Sequence, residues 1–392
     1  MPNTMAVDQV STVLRDVIQQ ATGSTELAAL DTNQLLTIGR KTLTIGRDPV
    51  LNAISMVISR TIFSNRPYNR KFRLMMRDEI QWGNYVRKLT VLEKDNDLQN
   101  NQSYTLQENG SVDQYKVNKP NTLQLNFMGQ QTYEIVKTIF DTQLDTAFTS
   151  AAEFAQFISM VLVYVNNKIE KIHEETARAT IAGAIAGKIV GSTSDVIHLV
   201  TEYKAYVGDD SLTKADIFKD RFADFMKWVY GRVNTLSDLM TEYSIKFHTN
   251  LEDGLIMRHT PKELQMTYIL SEPFRQVQTR VLGDMFRDEF MKLPNVELVN
   301  FWQNIDEPDK IHVESPNYLG ADGEPAQASS DLVQSDVFGI IADYEAMGYN
   351  PILDRVKTSP YNAAGEYYNQ FWKFNERHFI DYTENMVVLL LD

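Results

Sequence analysis

The sequence predicts an α+β fold in which one very long helix follows a projecting β-hairpin. Apolar side chains recur every three or four residues from Phe154 to Ala179, and no Pro or Gly interrupts them before Gly183, which indicates a continuous amphipathic helix. Ahead of this helix, β-type segments flank a stretch rich in Asn and Gln, residues 95–122. The chain closes in an apolar run, Met386 to Leu391, that suits a buried strand.

Length, charge and cysteine content limit the possible functions. The chain has 392 residues, 43% hydrophobic and 23% charged, which is enough for two or three domains or for one large fold. Its net charge of −14 makes it a poor general binder of nucleic acid, because binding to phosphates needs a positive field. The absence of cysteine excludes disulfides and thiolate metal sites and fits a reducing cytoplasm. Neither a signal peptide nor a transmembrane segment is expected.

The hairpin has the clearest β signals. The region from Phe72 to Leu92 has a β-like texture, with aromatic and β-branched residues among polar ones, and Leu123 to Phe127 is a second strand-like segment. Between them, Asn109-Gly110 is the strongest short signal for a hairpin turn. Residues 95–122 contain few large apolar groups and cannot bury a face of their own, so we expect this segment to project and to become ordered against a neighbour.

The other elements follow from spacing and capping signals. The long helix, a spine of about thirty residues or about 45 Å, is predicted over residues 150–182, with Ser150 as its cap and Gly183 as its stop. Strands are predicted at Val296 to Trp302 and at the C-terminal run, and a surface loop at residues 320–330. Shorter helical segments are predicted at residues 6–21, 48–60, 215–239, 262–269 and 275–292.

No motif for catalysis or cofactor binding is complete. His173-Glu174-Glu175 begins like a zinc-protease motif, but Ala177 stands where the second histidine is required. Gly183 to Lys188 resembles a phosphate-binding loop that is one residue short, and a helix terminus of small residues explains it better. We therefore expect no catalytic residue, no cofactor and no metal site, although missing motifs alone do not exclude an enzyme. A solvated turn is the better explanation for three acidic residues that could bind a hard cation, Asp306, Glu307 and Asp309.

Charge is segregated within the chain. From Arg60 to Lys94 there are nine basic and three acidic residues, a net charge of +6 that leaves −20 for the rest. A solvated basic strand is one explanation. The other is that this segment contacts the acidic body of an identical neighbour, since head-to-tail assembly pairs different patches of one chain. The residues of this candidate inter-subunit interface are Arg66, Arg70, Lys71, Arg73, Arg77, Arg87 and Lys88.

Part of the chain resembles a known family, the major capsid proteins of small short-tailed bacteriophages of the phi-29 group. Weaker similarities lie at Asn65 to Lys71, before the hairpin, and at Tyr367 to Trp372, near the C-terminus. The order of the predicted elements agrees with that family. The residues that carry the resemblance run from a β segment into the spine helix: Tyr133, Asp141, Leu144, Thr146-Ala147-Phe148, Ser150, Phe154, Phe157 and Ser159.

The resemblance implies the Hong Kong 97 capsid fold, which has four parts. An N-terminal arm would cover residues 1–64, and an extended hairpin called the E-loop would cover about 65–130. A peripheral domain with the spine helix would take about 131–210 and 361–392, and an axial domain at the capsomer centre would take about 211–360. Because the sequence stops at the terminal strand, we do not expect the immunoglobulin-like domain that some members append.

The implied function is that of a major capsid protein of a tailed double-stranded DNA bacteriophage, a podovirus. Pentamers and hexamers of the chain would form an icosahedral or elongated head shell that encloses the genome, with no sequence-specific DNA binding and no membrane. A scaffolding protein, a portal and other head proteins would be partners. Assembly would take place in the host cytoplasm and end in the virion, with the basic base of the E-loop lying across an adjacent subunit.

Two other functions stay open from the sequence. An encapsulin-type nanocompartment shares the fold and encloses cargo protein, although encapsulins usually lack so long an insertion around the hairpin. A carboxylate-based α/β enzyme would stay a monomer or a small oligomer, so that particle size separates it from both shells. For the interface itself, charge reversal at Arg70 and Arg73 together is expected to weaken assembly and to leave folding intact.

Overall fold

The computed structural model describes only part of the chain, and the predicted N-terminal arm with its two helices and Asn109 lie outside that part. Within the described residues there are five α-helices: α1 Ala151–Gly191, α2 Leu199–Val207, α3 Lys214–Asp220, α4 Phe222–Met240 and α5 Ser271–Arg280. The described residues are 70–77, 85–92, 107–108, 110–112, 115, 119–128, 131–140, 151–191, 193–252, 255–280 and 295–392.

The described strands form one central sheet, one long outer sheet and three two-stranded ribbons. The central sheet has the order β4-β14-β11-β5-β6, the outer sheet β12-β13-β3, and the ribbons are β1-β2, β7-β10 and β8-β9. The strands are β1 Tyr85–Leu92, β2 Asn121–Met128, β3 Gln131–Phe140, β4 Val196–His198, β5 Gln265–Leu270, β6 Val296–Val299, β7 Ile311–Val313, β8 Asn317–Leu319, β9 Pro325–Gln327, β10 Leu332–Gln334, β11 Val337–Asp343, β12 Met347–Thr358, β13 Tyr367–Ile380 and β14 Met386–Leu390.

The central sheet is buried on both faces. Side chains of β14 alternate between two apolar cores: Met386 and Val388 pack in the core that includes α1, whereas Val387 and Leu389 pack in the core that includes α2 and α4. A strand covered on both faces reads as a continuous apolar run, because both sets of side chains leave water. This confirms the strand predicted at the end of the chain.

The prediction of a helix at residues 262–269 is wrong. Only a 3-10 turn, Lys262–Leu264, is helical there, and β5 follows as a strand with all six residues buried between β11 and β6. A short apolar run that follows a proline is compatible with a helix or with a strand, and burial on both faces favours the strand. The predicted helix at 215–239 is two helices, α3 and α4, which meet at Arg221. The strand predicted at Val296 to Trp302 is present but shorter, since β6 ends at Val299.

The spine helix α1 runs further than the sequence indicated. It has 41 residues and ends at Gly191, beyond the predicted stop at Gly183. Gly187 serves close packing, because a Cβ there would lie 2.5 Å from the Asn317 carbonyl oxygen and would overlap the Tyr382 hydroxyl. Since residues 183–188 are helical, they form no phosphate-binding loop; the Nζ of Lys188 is buried and lies 2.6 Å from Asp195 Oδ2.

The outer sheet pairs the last long hairpin with β3. Trp372 lies opposite Val356 of β12 and opposite Ile135 of β3, which fixes the register of all three strands. On the inner face, Trp372 and Phe374 are buried and the Phe374 ring lies 5.7 Å from the ring of His173 on α1. The predicted domain boundary at residue 360 falls between β12 and β13, which are hydrogen-bonded partners; the division itself stays a prediction.

The inner face of this sheet also gives the protein an acid sensitivity. His378 of β13 lies 3.1 Å from Thr180 Oγ1 of α1, and burial lowers its pKa from 6.5 to about 4. The unfolded chain binds a proton at His378 below pH 6.5, whereas the folded chain does not until about pH 4, so stability is lost as the pH falls through this window. We expect a loss of about 3 kcal/mol from this residue.

Denaturant titrations of the unassembled protein between pH 7 and 4 check this expectation. The variant His378→Gln should show a smaller acid-induced loss, because Gln takes up no proton. An equal loss in both proteins would assign the acid sensitivity to other groups.

The long hairpin is present at its base. Strands β1 and β2 pair antiparallel from Tyr85 opposite Met128 to Leu92 opposite Asn121, so 28 residues connect them. Within that connection, the N–H of Gly110 donates to the carbonyl of Gln107 over 2.8 Å, which closes a turn close to the predicted one. The structure therefore has a two-stranded ribbon with a long connection where the sequence predicts a projecting hairpin and where the resemblance implies the E-loop.

Candidate functional site

The seven residues of the candidate interface fall into three groups. Arg66 lies outside the described residues. Four lie in residues 70–77, which we call the base segment: Arg70, Lys71, Arg73 and Arg77. The last two, Arg87 and Lys88, lie next to each other on β1 and point to opposite faces of the hairpin, since Arg87 is exposed and Lys88 is largely covered.

The base segment is clamped between the spine helix and the central sheet. Phe72 is fully buried, packs on Tyr268 of β5 at a ring distance of 5.5 Å, and donates its N–H to Glu297 Oε1 over 2.7 Å. Its φ of 62° is rare for a bulky residue and is held in place by these contacts. The guanidinium of Arg178 from α1 lies over the Phe72 ring, 5.1 Å from its centre. The chain therefore enters the hairpin from a fixed position.

Two of the predicted interface cations are used inside this clamp. The Nε of Arg70 lies 3.5 Å from Glu170 Oε2 of α1, and its guanidinium lies 5.4 Å from the centre of the Tyr349 ring. Arg77 donates to the carbonyls of Leu74, Met347 and Tyr344, and burial lowers its pKa. Reversing the charge of Arg70 would put two carboxylates together in a covered place, so Arg70 cannot test assembly separately from folding.

Lys88 fastens the base of β1 to the end of the chain. Its Nζ lies 2.8 Å from Asp381 Oδ2, in contact with Glu384 Oε1, and 3.4 Å from Glu345 Oε2. Burial works to lower the pKa of Lys88, but the carboxylates of Asp381 and Glu384 outweigh it and raise that pKa. Lys88 is therefore a fixed cation that ties β1 to the turn between β13 and β14.

Arg258 extends this cluster to the next residues of the hairpin. Its Nε lies 3.0 Å from Glu384 Oε1, and its Nη2 donates to Thr90 Oγ1 over 3.0 Å. The inward residues of β1, Lys88 and Thr90, are thus both anchored on the body of the same chain. Sequence analysis missed Asp381, Glu384 and Arg258, because no pattern along the chain brings residue 258 or residues 381–384 near residue 88.

The outward face of the hairpin carries two apolar side chains and one cation on β1 and polar side chains on β2. Leu89 and Val91 are 60% and 62% exposed, and the exposed Arg87 precedes them on the same face of β1. Their cross-strand partners on β2 are Gln124 and Thr122. Sequence analysis counted Leu89 and Val91 among the strand residues but assigned the inter-subunit contact to charged residues alone. Of the predicted set, Arg73 and Arg87 are exposed and Lys71 is half-buried.

The described residues offer little for chemistry. No group of three or more His, Asp or Glu side chains in the described part is arranged to hold a metal ion. No helix in the described ranges combines the length and the apolar content needed to cross a membrane. Asp306 and Glu307 lie exposed in a turn before β7 and Asp309 is half-buried, as expected for a solvated turn. What the arrangement does provide is a rigidly mounted hairpin with an uncovered face.

Comparison with known proteins identifies the family. A family model described as "Phi29-like phage major capsid protein" matches residues 12–390. A chain of the solved structure titled "Capsid structure of Staphylococcus phage Andhra" superposes with a TM-score of 0.53 at 10% identity, over 83% of this chain and 84% of that one.

A chain of "Structure of head fiber and inner core protein gp22 of native bacteriophage P68" superposes with a TM-score of 0.54 at 9% identity, over 83% of this chain and 85% of that one. At such identities the likeness concerns the fold alone. No curated protein matches the sequence.

Proposed function

This chain belongs to the family of Phi29-like phage major capsid proteins, and from that premise we propose that it builds the head shell of its phage as pentamers and hexamers around double-stranded DNA. It is a major capsid protein of a tailed bacteriophage, with the Hong Kong 97 capsid fold, and its place is the capsid of the virion. The family match over residues 12–390 is the observation that carries this proposal.

Membership in a capsid family favours assembly over catalysis as the mechanism. The encapsulin alternative shares only the fold, whereas the family model that matches is a phage one. We propose a scaffolding protein and a portal as partners, assembly in the host cytoplasm, and no sequence-specific contact with the packaged DNA. The net charge of −14 supports that last proposal, because a negative shell does not hold phosphates.

The proposed division keeps the parts given by the resemblance. Residues 1–64 act as an arm, about 65–130 as the E-loop, about 131–210 with 361–392 as the peripheral domain, and about 211–360 as the axial domain. The ribbon β1-β2 supports the E-loop and the long helix α1 supports the spine. The hydrogen bonds between β12 and β13 require the peripheral and axial parts to be joined through a continuous sheet.

The E-loop is proposed to lie across an adjacent subunit through its outward face. Lys88 and Thr90 hold the inner face on the same chain, so Leu89, Val91 and Arg87 remain for a neighbour. Apolar burial at these positions would supply affinity, and the arginines at positions 73 and 87 would steer the approach. In this proposal the apolar residues of the hairpin, and not its charged residues, supply most of the contact with the neighbour.

Electron microscopy tests the main proposal. The full chain is expressed alone and with the head genes of its own phage, and particles are measured by light scattering and negative stain. Closed shells are the expected result, empty or filled with the scaffolding protein, and with DNA inside those made together with the packaging genes. Shells that enclose a protein other than a scaffolding protein would favour the encapsulin alternative, and a uniform monomer under every condition would contradict assembly.

The E-loop proposal has its own expected outcome. Replacing Leu89 and Val91 by Asp should lower the yield of shells by about tenfold or more, since two charges would be buried in an apolar contact. Unfolding of the unassembled variant should be unchanged, because both side chains are more than half exposed in the chain. Normal shell yield from this variant would place the hairpin's outward face outside the subunit contacts.

A further inference from the structure

We propose that the outer face of the β12-β13-β3 sheet binds the acidic lobe of a second copy of this chain. The outer sheet face is defined by Glu134, Val136, Arg355, Lys357, Phe371 and Lys373, and the acidic lobe by residues 303–336. The inference rests on assembly of this chain into a shell and names a contact, away from the E-loop, through which copies join.

The outer sheet face carries more positive charge than the sheet can satisfy itself. Arg355 lies directly opposite Lys373 across β12 and β13, and like charges in that position repel each other. Glu134 on β3 pairs with Lys373 at 2.9 Å, which neutralises one of them. Lys357 is two residues along from Arg355 and therefore lies on the same face. A net charge of about +2 is left exposed on a chain whose net charge is −14.

Apolar groups lie between these cations. Val136 is 44% exposed, and its cross-strand partner Phe371 lies opposite Lys357 in the same row of the sheet. The Nζ of Lys373 lies 5.9 Å from the centre of the Phe371 ring. An apolar valine gains nothing beside a phosphate backbone, so the mixture favours a protein surface that offers carboxylates and apolar side chains together.

The acidic lobe has the complementary chemistry. Residues 303–336 contain eight Asp or Glu and one Lys, so this tenth of the chain carries −7 of its net −14. Ile305 is 75% exposed and stands beside the exposed Asp306 and Glu307, and Val333 is 54% exposed two residues after the exposed Asp331. Carboxylates and isolated apolar side chains thus alternate on its surface, as the outer sheet face requires.

The lobe is held firmly enough to act as a docking surface. The indole N–H of the buried Trp302 donates to the Val337 carbonyl over 2.8 Å, and its backbone N–H donates to the Pro308 carbonyl over 3.0 Å, which closes the turn that presents Ile305. Tyr318 packs against Gly191 at the end of the spine helix. Different patches of one chain that complement each other give a head-to-tail contact, which can close into a ring.

Charge reversal and its rescue test the proposal on the full chain expressed with its head genes. Arg355→Glu with Lys357→Glu should lower the shell yield by about tenfold or more, because carboxylates would then face carboxylates. Asp306→Lys with Glu307→Lys should do the same from the other side. The four changes together should restore shells, since the charges again match.

A matched control separates this contact from a change of net charge. Asp220→Lys with Glu242→Lys alters two exposed acidic residues outside the lobe by the same charge, and should not restore shells to the Arg355→Glu, Lys357→Glu variant. Folding is checked in the unassembled variants, where Arg355→Glu should not lower stability, because a carboxylate opposite Lys373 replaces a repulsive pair.

Three results would overturn the proposal. They are normal shells from either double variant, rescue by the control pair, and no rescue by the lobe pair. The last result would assign the outer sheet face to another acidic partner or to the genome. Failure of the unchanged chain to form shells would count against the proposed function, and is therefore distinguishable from all three.

Discussion

Replacing Lys88 by Met is expected to destabilise the folded chain by about 3 to 5 kcal/mol, because the buried carboxylate of Asp381 loses its ion-pair partner, whereas Glu384 keeps Arg258. The side chains of Asp381 and Glu384 are only 1% and 8% exposed, and Met restores the length of the lysine stem but no positive charge. Denaturant unfolding of the unassembled protein, followed by circular dichroism, measures this loss.

Arg87→Met is the matched control, since Arg87 is the exposed neighbour on the same strand. We expect it to change stability by no more than about 0.5 kcal/mol. Acidification gives a second check: protonating the buried carboxylate that has lost its cation removes the uncompensated charge, so the deficit of Lys88→Met should shrink as the pH is lowered. Equal unfolding midpoints for both variants would show that Lys88 does not fasten β1.

Adding one methyl group at Gly187 is expected to have a comparable effect. A Cβ there would overlap the hydroxyl of Tyr382 and lie 2.5 Å from the carbonyl oxygen of Asn317. The same hydroxyl donates to that carbonyl over 2.9 Å, so Gly187→Ala would break this hydrogen bond and push β8 away from the spine helix. Overpacking and the lost hydrogen bond together should cost about 3 kcal/mol or more.

Gly183→Ala, one turn earlier on the same helix, is the control for Gly187→Ala. A Cβ at Gly183 would meet only Ile380 Cδ1 at 3.4 Å, an ordinary contact distance. Alanine is the better helix former by up to about 1 kcal/mol, so this variant should be neutral or slightly more stable. Equal losses of stability in thermal unfolding of both variants would show that close packing at Gly187 is not the reason for a glycine there.

Lys88 and Gly187 matter for assembly because they fix the positions of the hairpin and of the acidic lobe on the body of the chain. Lys88 fixes the base of the E-loop to the turn between β13 and β14, and Gly187 lets β8, part of the acidic lobe, lie on the spine helix. A capsid subunit must present its contacts in a constant geometry to many copies. Variants that loosen either joint are therefore expected to produce irregular shells as well as lower stability.

Some functional features were predictable from the sequence and others were not. The β-like texture from Phe72 to Leu92 predicted the hairpin strand that lies at Tyr85–Leu92, although Arg73–Met75 form a 3-10 turn. The helical spacing from Phe154 predicted the spine, and both signals depend on neighbours within a few residues. The basic cluster from Arg60 to Lys94 was visible as composition. The intramolecular ion pairs of this cluster were not predictable, since the carboxylates that contact Arg70 and Lys88 lie about 100 and about 300 positions away along the chain.

The sequence by itself determined the periodic elements, the absence of thiol chemistry, the acidic charge and, through residues such as Tyr133 and Phe154, the family. These properties are local or additive, so they can be read without knowing which segments meet. Only the tertiary structure decided that residues 265–270 form a strand, that α1 passes through Gly187, and that Leu89 stays outside while Lys88 turns inward. The physical reason is burial: whether a side chain leaves water depends on partners that the chain brings from distant positions, and folding places those partners.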